Sequence, residues 1–190
     1  AEDGMELVTD DDICRESRKA ALELMLSEHV GDCEAPCQLV CPAHMNIPLM
    51  NRLIASGNLE KAIEVVKKDI ALPAILGRIC PAPCEAGCRR KQIDEPVSIC
   101  LLKGFVADTE SAKNNPKNNP KTNKKIAIIG AGPAGLASAF YLNKLGYWVS
   151  IFEKNNLSGG DLTRIDKEVL PENVLKNEID SILQSEIKIQ

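Results

Sequence analysis

The sequence predicts two differently built modules, an all-α segment followed by the first βαβαβ half of a doubly wound α/β sheet. Three observations carry this. Of the six aromatic residues, five (Phe140, Tyr141, Tyr147, Trp148 and Phe152) lie within thirteen positions, and the first 125 residues hold only Phe105. Residues 111–125 read SAKNNPKNNPKTNKK, with five lysines, no acid and little to bury. Before that stretch apolar residues recur at helical spacing, and after it β-branched runs alternate with helical ones.

The spacing predicts a first helix over residues 13–30, with Leu22, Met25 and Leu26 in register and Asp10 to Asp12 as cap and dipole charge. A second runs over 47–55, capped by Asn46, with Pro48 tolerated in its first turn and Gly57 as its stop. Asn58 caps a third over 59–68, whose Leu59, Ala62, Ile63 and Val66 share one face. A fourth is expected over 95–108, with Pro96 in its first turn and Ile99, Leu102 and Val106 inward. Residues 111–125 are expected to be a flexible basic linker. Beyond it, residues 125–129 form a strand, 130–135 a glycine turn, and 134–145 a helix ending at Gly146. Residues 148–152 give a second strand, 171–184 a helix and 187–189 a third strand, with crossovers long enough for parallel pairing. The expected organisation is a helical domain over 1–110, a linker over 111–125 and a partial α/β domain over 126–190.

Composition excludes several functions. Net charge is -4, from 23 basic against 27 acidic residues, so nothing suggests nucleic-acid or anionic-membrane binding. The longest uncharged apolar stretch, residues 126–141, is broken by Gly130, Gly132, Pro133 and Gly135 and falls short of the roughly 20 residues of a membrane span. Residues 1–12 carry six acids, unlike a secretory signal, so the expected location is the cytoplasm. Eight cysteines in that compartment read as metal ligands before disulfides.

Cys33, Cys37 and Cys41 form CxxxCxxxCP, and Cys80, Cys84 and Cys88 form CPxxCxxxC. Pro36, Pro42, Pro81 and Pro83 make regular helix improbable there, which predicts wrapping loops. Thiolates select iron-sulfur clusters or zinc. Structural zinc normally shows paired ligands at spacings of two to four, which this pattern permits, so zinc stands beside the preferred iron-sulfur reading. Four-iron clusters usually take four protein ligands, so two triads need two more. The candidates are Cys100, on the helix after the second triad, His29, Cys14 or a partner chain; Cys14 reads as an ordinary helix cysteine, and His44 as a loop residue.

KIAIIGAGPAG, residues 125–135, is a GxGxxG between a strand and a helix, the setting that gives this motif its value. Gly130 makes the turn, Gly132 admits a pyrophosphate to the backbone, and Gly135 permits close helix-strand packing, with Pro133 and Ala134 opening the helix. Glu153, 18 residues after Gly135 and followed by Lys154, is placed to accept ribose hydroxyls, which favours FAD or NAD over NADP. Gly159 and Gly160 suit a second close approach to a cofactor, or a plain surface turn.

Together these motifs resemble the N-terminal part of the glutamate synthase small (β) subunit family, which includes the N-terminal region of dihydropyrimidine dehydrogenase and related NAD(P)H-dependent ferredoxin oxidoreductases. The residues that carry the resemblance are GDCEAPCQLVCPAHMNIP, GRICPAPCEAGC, PVSICLLKGFVAD and the KIAIIGAGPAG, FEK and GG segments. It implies a helical domain with two [4Fe-4S] clusters feeding an FAD on a Rossmann-like domain. It also implies Cys33, Cys37 and Cys88 on one cluster and Cys41, Cys80 and Cys84 on the other. Two departures are visible. The family's opening CxxC is absent, a cysteine being expected near His29 or Val30. The position where the family often has Gln or Glu is Lys103, one turn after Cys100.

The resulting expectation is an electron-transfer module that works between FAD and two [4Fe-4S] clusters, with redox partner subunits in a larger NAD(P)H-linked oxidoreductase and no catalytic acid, base or nucleophile of its own. The other class is a non-enzymatic docking subunit stapled by clusters or zinc. With only three strands, the edge of residues 126–129 is expected to be unpaired and FAD affinity weak.

Overall fold

The computed structural model describes residues 3–27, 33–110, 119–183 and 187–190, excluding the side chain of residue 110. It contains two compact units, Ala1–Glu34 and Ala35–Gln190.

In the first unit, α1 spans Asp12–Ser27. The Cys14 N–H donates to Asp11 Oδ1 at 2.7 Å, a bond that holds the Asp11 carboxyl below its usual range. Arg15 and Arg18 both reach Asp10. No side chain of α1 is buried, and Leu22, Met25 and Leu26 stay exposed. The predicted spacing is present, but among the described residues this unit has no second element to cover the row.

In the second unit, the helical part comprises α2 (Pro36–Leu39), α3 (Ile47–Ala55), α4 (Leu59–Asp69), α5 (Pro73–Ile79), α6 (Pro83–Ala86) and α7 (Ile99–Glu110). Asn46 accepts from Leu49 N–H and Asn58 from Lys61 N–H, the two expected side-chain caps. The structure corrects the cysteine loops: Pro36 and Pro83 occupy the first helical positions of one-turn helices, where a missing N–H costs nothing. It also adds α5, whose central Gly77 resembles a break in sequence. Gly77 is required by packing, because a Cβ there would meet Gly104 Cα of α7 at 2.6 Å. The fourth predicted helix begins at Ile99, not near residue 95, and Pro96 lies outside it. Glu85 Oε1 receives the Cys100 N–H at 2.8 Å and caps the helix at that point.

Strands β1 (Lys125–Ile129), β2 (Trp148–Phe152) and β3 (Lys188–Ile189) pair in parallel in the order β1-β2-β3, with Ile128 opposite Ile151 and Ser150 opposite Lys188. The crossovers are α8 (Pro133–Lys144) and α9 (Glu172–Leu183), as predicted. Among the described residues no strand pairs the far edge of β1, and Ile129 is 84% exposed.

Residues 119–124, read from sequence as linker, are anchored on this sheet layer. Asn119 N–H donates to Lys144 O, Thr122 N–H to Gly146 O, and Lys121 Nζ to Asn143 Oδ1 at 2.6 Å while lying 4.8 Å from the Trp148 ring. Residues 111–118 lie outside the described set.

Two apolar cores result. One gathers Met45, Ile47, Met50, Ile63, Val66, Ile99 and Val106. The other gathers Leu136, Phe140, Ile151, Leu175, Ile179 and Ile182 around the sheet and takes in Leu72 and Ile75 from the helical part. Helix α5 thus serves both. The same seam holds Glu178 of α9, 5% exposed, whose carboxylate accepts Ala74 N–H at 2.8 Å and Ile75 N–H at 2.7 Å in the first turn of α5.

Candidate metal centre and dinucleotide loop

Three chain segments deliver thiols to one place. Cys41 follows α2, Cys80 ends α5, and Cys84 lies in α6. Between Cys80 and Cys84, Ala82 has φ +54, a left-handed conformation that turns the chain sharply between two prolines. These three thiol residues line a cavity of about 310 Å³ whose other walls include Met45, Ile47, Ile70, Leu76 and Ile99, and which also receives Lys103. Cys100, buried on α7, joins the group: its thiol is close enough to those of Cys80 and Cys84 to be influenced by both, and Lys103 Nζ lies 3.9 Å from its Sγ.

The electrostatics record the same neighbourhood. Burial pushes the Cys100 thiol up to about 12, opposed by Lys103 and reinforced by Cys80 and Cys84. Burial also raises Cys84, again opposed by Lys103, with Cys41 and Cys80 adding to the rise. Such thiols are inert as free acids and become thiolates when a metal's charge is beside them. Among the described residues no three His, Cys, Asp or Glu side chains close on a single-ion position. The thiols surround a cavity instead.

A second pairing involves Cys37 and Cys88. Burial raises the Cys37 thiol, a backbone N–H of Gln38 opposes this, and the Cys88 and Cys41 thiols add to it. Cys33 is exposed and belongs to the first unit, and His29 lies outside the described residues. Cys14 Sγ contacts the Val8 carbonyl at 3.5 Å within its own unit. Sequence reasoning identified Cys100 but missed Glu85, which braces it, and the apolar wall. Glu85 gave no signal beyond its place beside Cys84.

The glycine turn has the geometry its spacing predicts. Gly130 has φ +95, open only to glycine at little cost. A Cβ on Gly132 would meet nothing within 4 Å, so the backbone is open on that side, whereas a Cβ on Gly135 would overlap the Gly130 carbonyl oxygen. Pro133 and Ala134 open α8, whose dipole points its positive end at the turn. Gly160, with φ +54, sits so close that its Cβ would lie 3.0 Å from Gly132 Cα, and Gly159 N–H donates to Ala131 O at 2.8 Å. The paired glycines therefore wall the turn. Between them opens a cleft of about 540 Å³ lined by Gly132, Pro133, Asn155, Leu157, Gly160 and Arg164.

Glu153 follows β2 and accepts Ala131 N–H at 2.7 Å, Asn155 N–H at 2.9 Å and Asn155 Nδ2 at 2.8 Å. The Ala131 bond, chiefly, holds its carboxyl below the usual range, and neighbouring Lys154 acts in the same direction. Asn155 and Arg164 are cleft residues that sequence reasoning did not name.

With this geometry in place, comparisons with known proteins become informative. Residues 16–115 match the family described as dihydropyrimidine dehydrogenase domain II, 4Fe-4S cluster, and residues 128–185 match an NAD(P)-binding Rossmann-like domain. The chain is 38% identical over 173 residues to the NADP(+)-dependent formate dehydrogenase subunit beta of Moorella thermoacetica, covering 78% of this chain and 24% of that protein. It is 39% identical over 162 residues to the NAD-dependent dihydropyrimidine dehydrogenase subunit PreT of Salmonella typhimurium, covering 83% and 39%. It is 40% identical over 126 residues to the glutamate synthase [NADPH] small chain of Bacillus subtilis, covering 65% and 26%. The chain thus spans about a quarter to two fifths of the length of these relatives. No helix among the described residues is long and apolar enough to cross a membrane.

Proposed function

The chain belongs to the family of the dihydropyrimidine dehydrogenase domain II with its 4Fe-4S cluster, and from that premise we propose that it carries electrons between an FAD and two [4Fe-4S] clusters within a larger NAD(P)H-linked oxidoreductase. The relatives are named as subunits of such enzymes, which supports redox partner subunits for this chain too. The observation that carries the reading is the cavity where Cys41, Cys80 and Cys84 meet beside buried Cys100. Its walls are apolar and its donors soft, a chemistry that suits a thiolate-bound iron-sulfur cluster.

In this reading Cys41, Cys80, Cys84 and Cys100 hold one cluster. Cys33, Cys37 and Cys88 hold the other, with His29 or a partner residue as fourth ligand. When bound, the clusters supply one-electron steps beside a two-electron flavin, which divides a hydride's electron pair. The chain's residues bind, orient and shield. Gly130, Gly132, Pro133, Ala134, Gly135 and Gly160 form the cradle for a dinucleotide's phosphates, and the ionised Glu153, flanked by Lys154, accepts its ribose hydroxyls. An acid there disfavours a 2'-phosphate, which supports FAD at this loop. The apolar walls around Cys80, Cys84 and Cys100 exclude water from the thiolates.

The test is iron, sulfide, zinc and flavin content after anaerobic purification. About eight iron atoms per chain are expected for two four-iron clusters, together with FAD when the protein is purified with FAD supplied. Stoichiometric zinc without iron overturns the cluster reading, and a bound NAD(P) without flavin overturns the FAD assignment.

A further inference from the structure

We propose that Lys103 is a fixed buried cation that raises the reduction potential of the cluster held by Cys41, Cys80, Cys84 and Cys100, acting through charge and not as an iron ligand. The proposal rests on the cluster reading above. Lys103 lies on α7, one turn beyond Cys100, and is 4% exposed. Its side chain enters the cavity where Cys41, Cys80 and Cys84 meet. Among the described residues its ammonium makes one hydrogen bond, to Cys100 Sγ at 3.9 Å, and that bond is to sulfur and not to a carboxylate.

A buried ammonium without an anionic partner is costly, and a chain retains one where opposite charge accompanies it. Among the described residues the group its ammonium bonds is the Cys100 thiol, which can supply negative charge to it once ionised. Cys84 and Cys100 both feel Lys103 as the largest influence opposing their burial. Four thiolates around an iron-sulfur centre therefore give the lysine the anion that the protein otherwise lacks at this spot. The converse also holds. Reduction adds one negative charge to a centre enclosed by Met45, Ile47 and Ile99, and apolar walls oppose that charge. A cation at van der Waals distance from one ligand sulfur stabilises the reduced state more than the oxidised one, which raises the potential.

The helix packing holds the charge in position. Gly104, the next residue, lies against Gly77 of α5, where a Cβ on Gly77 would come within 2.6 Å of Gly104 Cα, and Glu85 fixes the first turn of α7 through the Cys100 N–H. Lys103 is consequently pinned between a backbone-to-backbone helix crossing and a capped helix start. It is a positioning residue whose effect is read in a potential.

The experiment is an EPR-monitored redox titration of anaerobically purified wild type, Lys103→Met, Lys103→Gln, Lys103→Arg and Cys100→Ala. Lys103→Met and Lys103→Gln are expected to retain two clusters and to shift one of them to lower potential. The expected shift is at least tenfold in the reduced-to-oxidised ratio at fixed potential, which is about 59 mV for a one-electron couple. Lys103→Arg is expected to stay within threefold of wild type. Loss of the cluster in Lys103→Met and Lys103→Gln with retention in Lys103→Arg also supports a charge requirement. An unchanged potential in the neutral variants overturns the proposal, as does an equal shift or cluster loss in Lys103→Arg. Retention of the cluster in Cys100→Ala with loss in every Lys103 variant makes the lysine a ligand and overturns it as well. A wild type without this cluster refutes the functional reading itself, a result distinct from all of these.

Discussion

The two apolar cores of the larger unit are built on opposite economies of space. The sheet core is closed by its own side chains: Phe140, Ile151, Leu175 and Ile179 interlock around parallel strands, and Phe140 meets Tyr141 edge-on at 5.1 Å. The helical core encloses a cavity of about 310 Å³ ringed by thiols, and two of its helices are single turns begun by proline. One-turn helices have no cooperative stability of their own. The difference teaches where each half obtains its order. Side-chain packing is sufficient in the first, whereas in the second Cys41, Cys80 and Cys84 face a cavity, and a cluster held there, as proposed above, would add to its order.

Removing iron is the most direct way to break that comparison, and the expected effect is the largest. Chelation under reducing conditions should abolish protection of amide hydrogens across residues 36–46 and 80–100 while leaving β1, β2 and α8 protected. Hydrogen exchange followed by mass spectrometry checks this. Uniform loss of protection in both halves would mean that α5, which lies in both cores, transmits the collapse to the sheet.

A single ligand sharpens the same contrast. Cys100→Ala is expected to halve the iron content by removing the cluster beside Cys80 and Cys84, and Cys14→Ala to leave it unchanged, because Cys14 bonds the Val8 carbonyl and Asp11 within its own unit. Iron analysis of both variants distinguishes them. Loss from Cys14→Ala with retention in Cys100→Ala reverses the assignment.

In the sheet half the corresponding break is steric. Gly135→Ala would drive a methyl group into the Gly130 carbonyl oxygen, two backbone segments that cannot both give way. The expected cost is about 2–3 kcal/mol in stability, with loss of bound flavin but with the iron content intact. Denaturant titration and flavin extraction measure the two effects separately.

How much of this was legible in the sequence follows the same division. Strands β1 and β2 and helix α3 fall on the predicted residues because local patterning alone determines them: β-branched runs, Asn46 with Pro48, and glycines at the turns. In the cysteine region, proline was read as a helix breaker although at a first helical position it is a helix starter. Helix α5 was hidden by Gly77, whose purpose is a contact with Gly104, 27 positions away in the chain. The two cysteine triads, Cys33/Cys37/Cys41 and Cys80/Cys84/Cys88, are legible as candidate soft metal ligands, and the structure brings Cys41, Cys80 and Cys84 to one cavity. The burial of Lys103 and the Glu85 brace on Cys100 depend on how α6 and α7 meet, and no window of sequence encodes that.

The smallest expected effect lies at the seam between the cores. Glu178 of α9 accepts two N–H bonds from α5 and faces Lys67 of α4 and Asp108 of α7, the latter paired with Arg78. Burial outweighs the two N–H bonds and Lys67, and moves its carboxyl from 4.5 up to about 7. Burial acts on Lys67 in the opposite direction and lowers it, with Glu178 countering. Because the folded state holds the Glu178 proton more tightly than the unfolded state, the stabilisation is full below about pH 4.5 and is lost as pH rises through about 7. Wild type should therefore lose about 2 kcal/mol between pH 5 and pH 7.5 from this group, and Glu178→Gln should remove that slope. Urea titrations of the iron-loaded protein across that range, compared between the two, provide the measurement. A wild-type stability that rises over the same interval by an amount absent from Glu178→Gln would mean that the N–H bonds and Lys67 keep Glu178 ionised, and that α5 is joined to α9 by a charge instead of a proton.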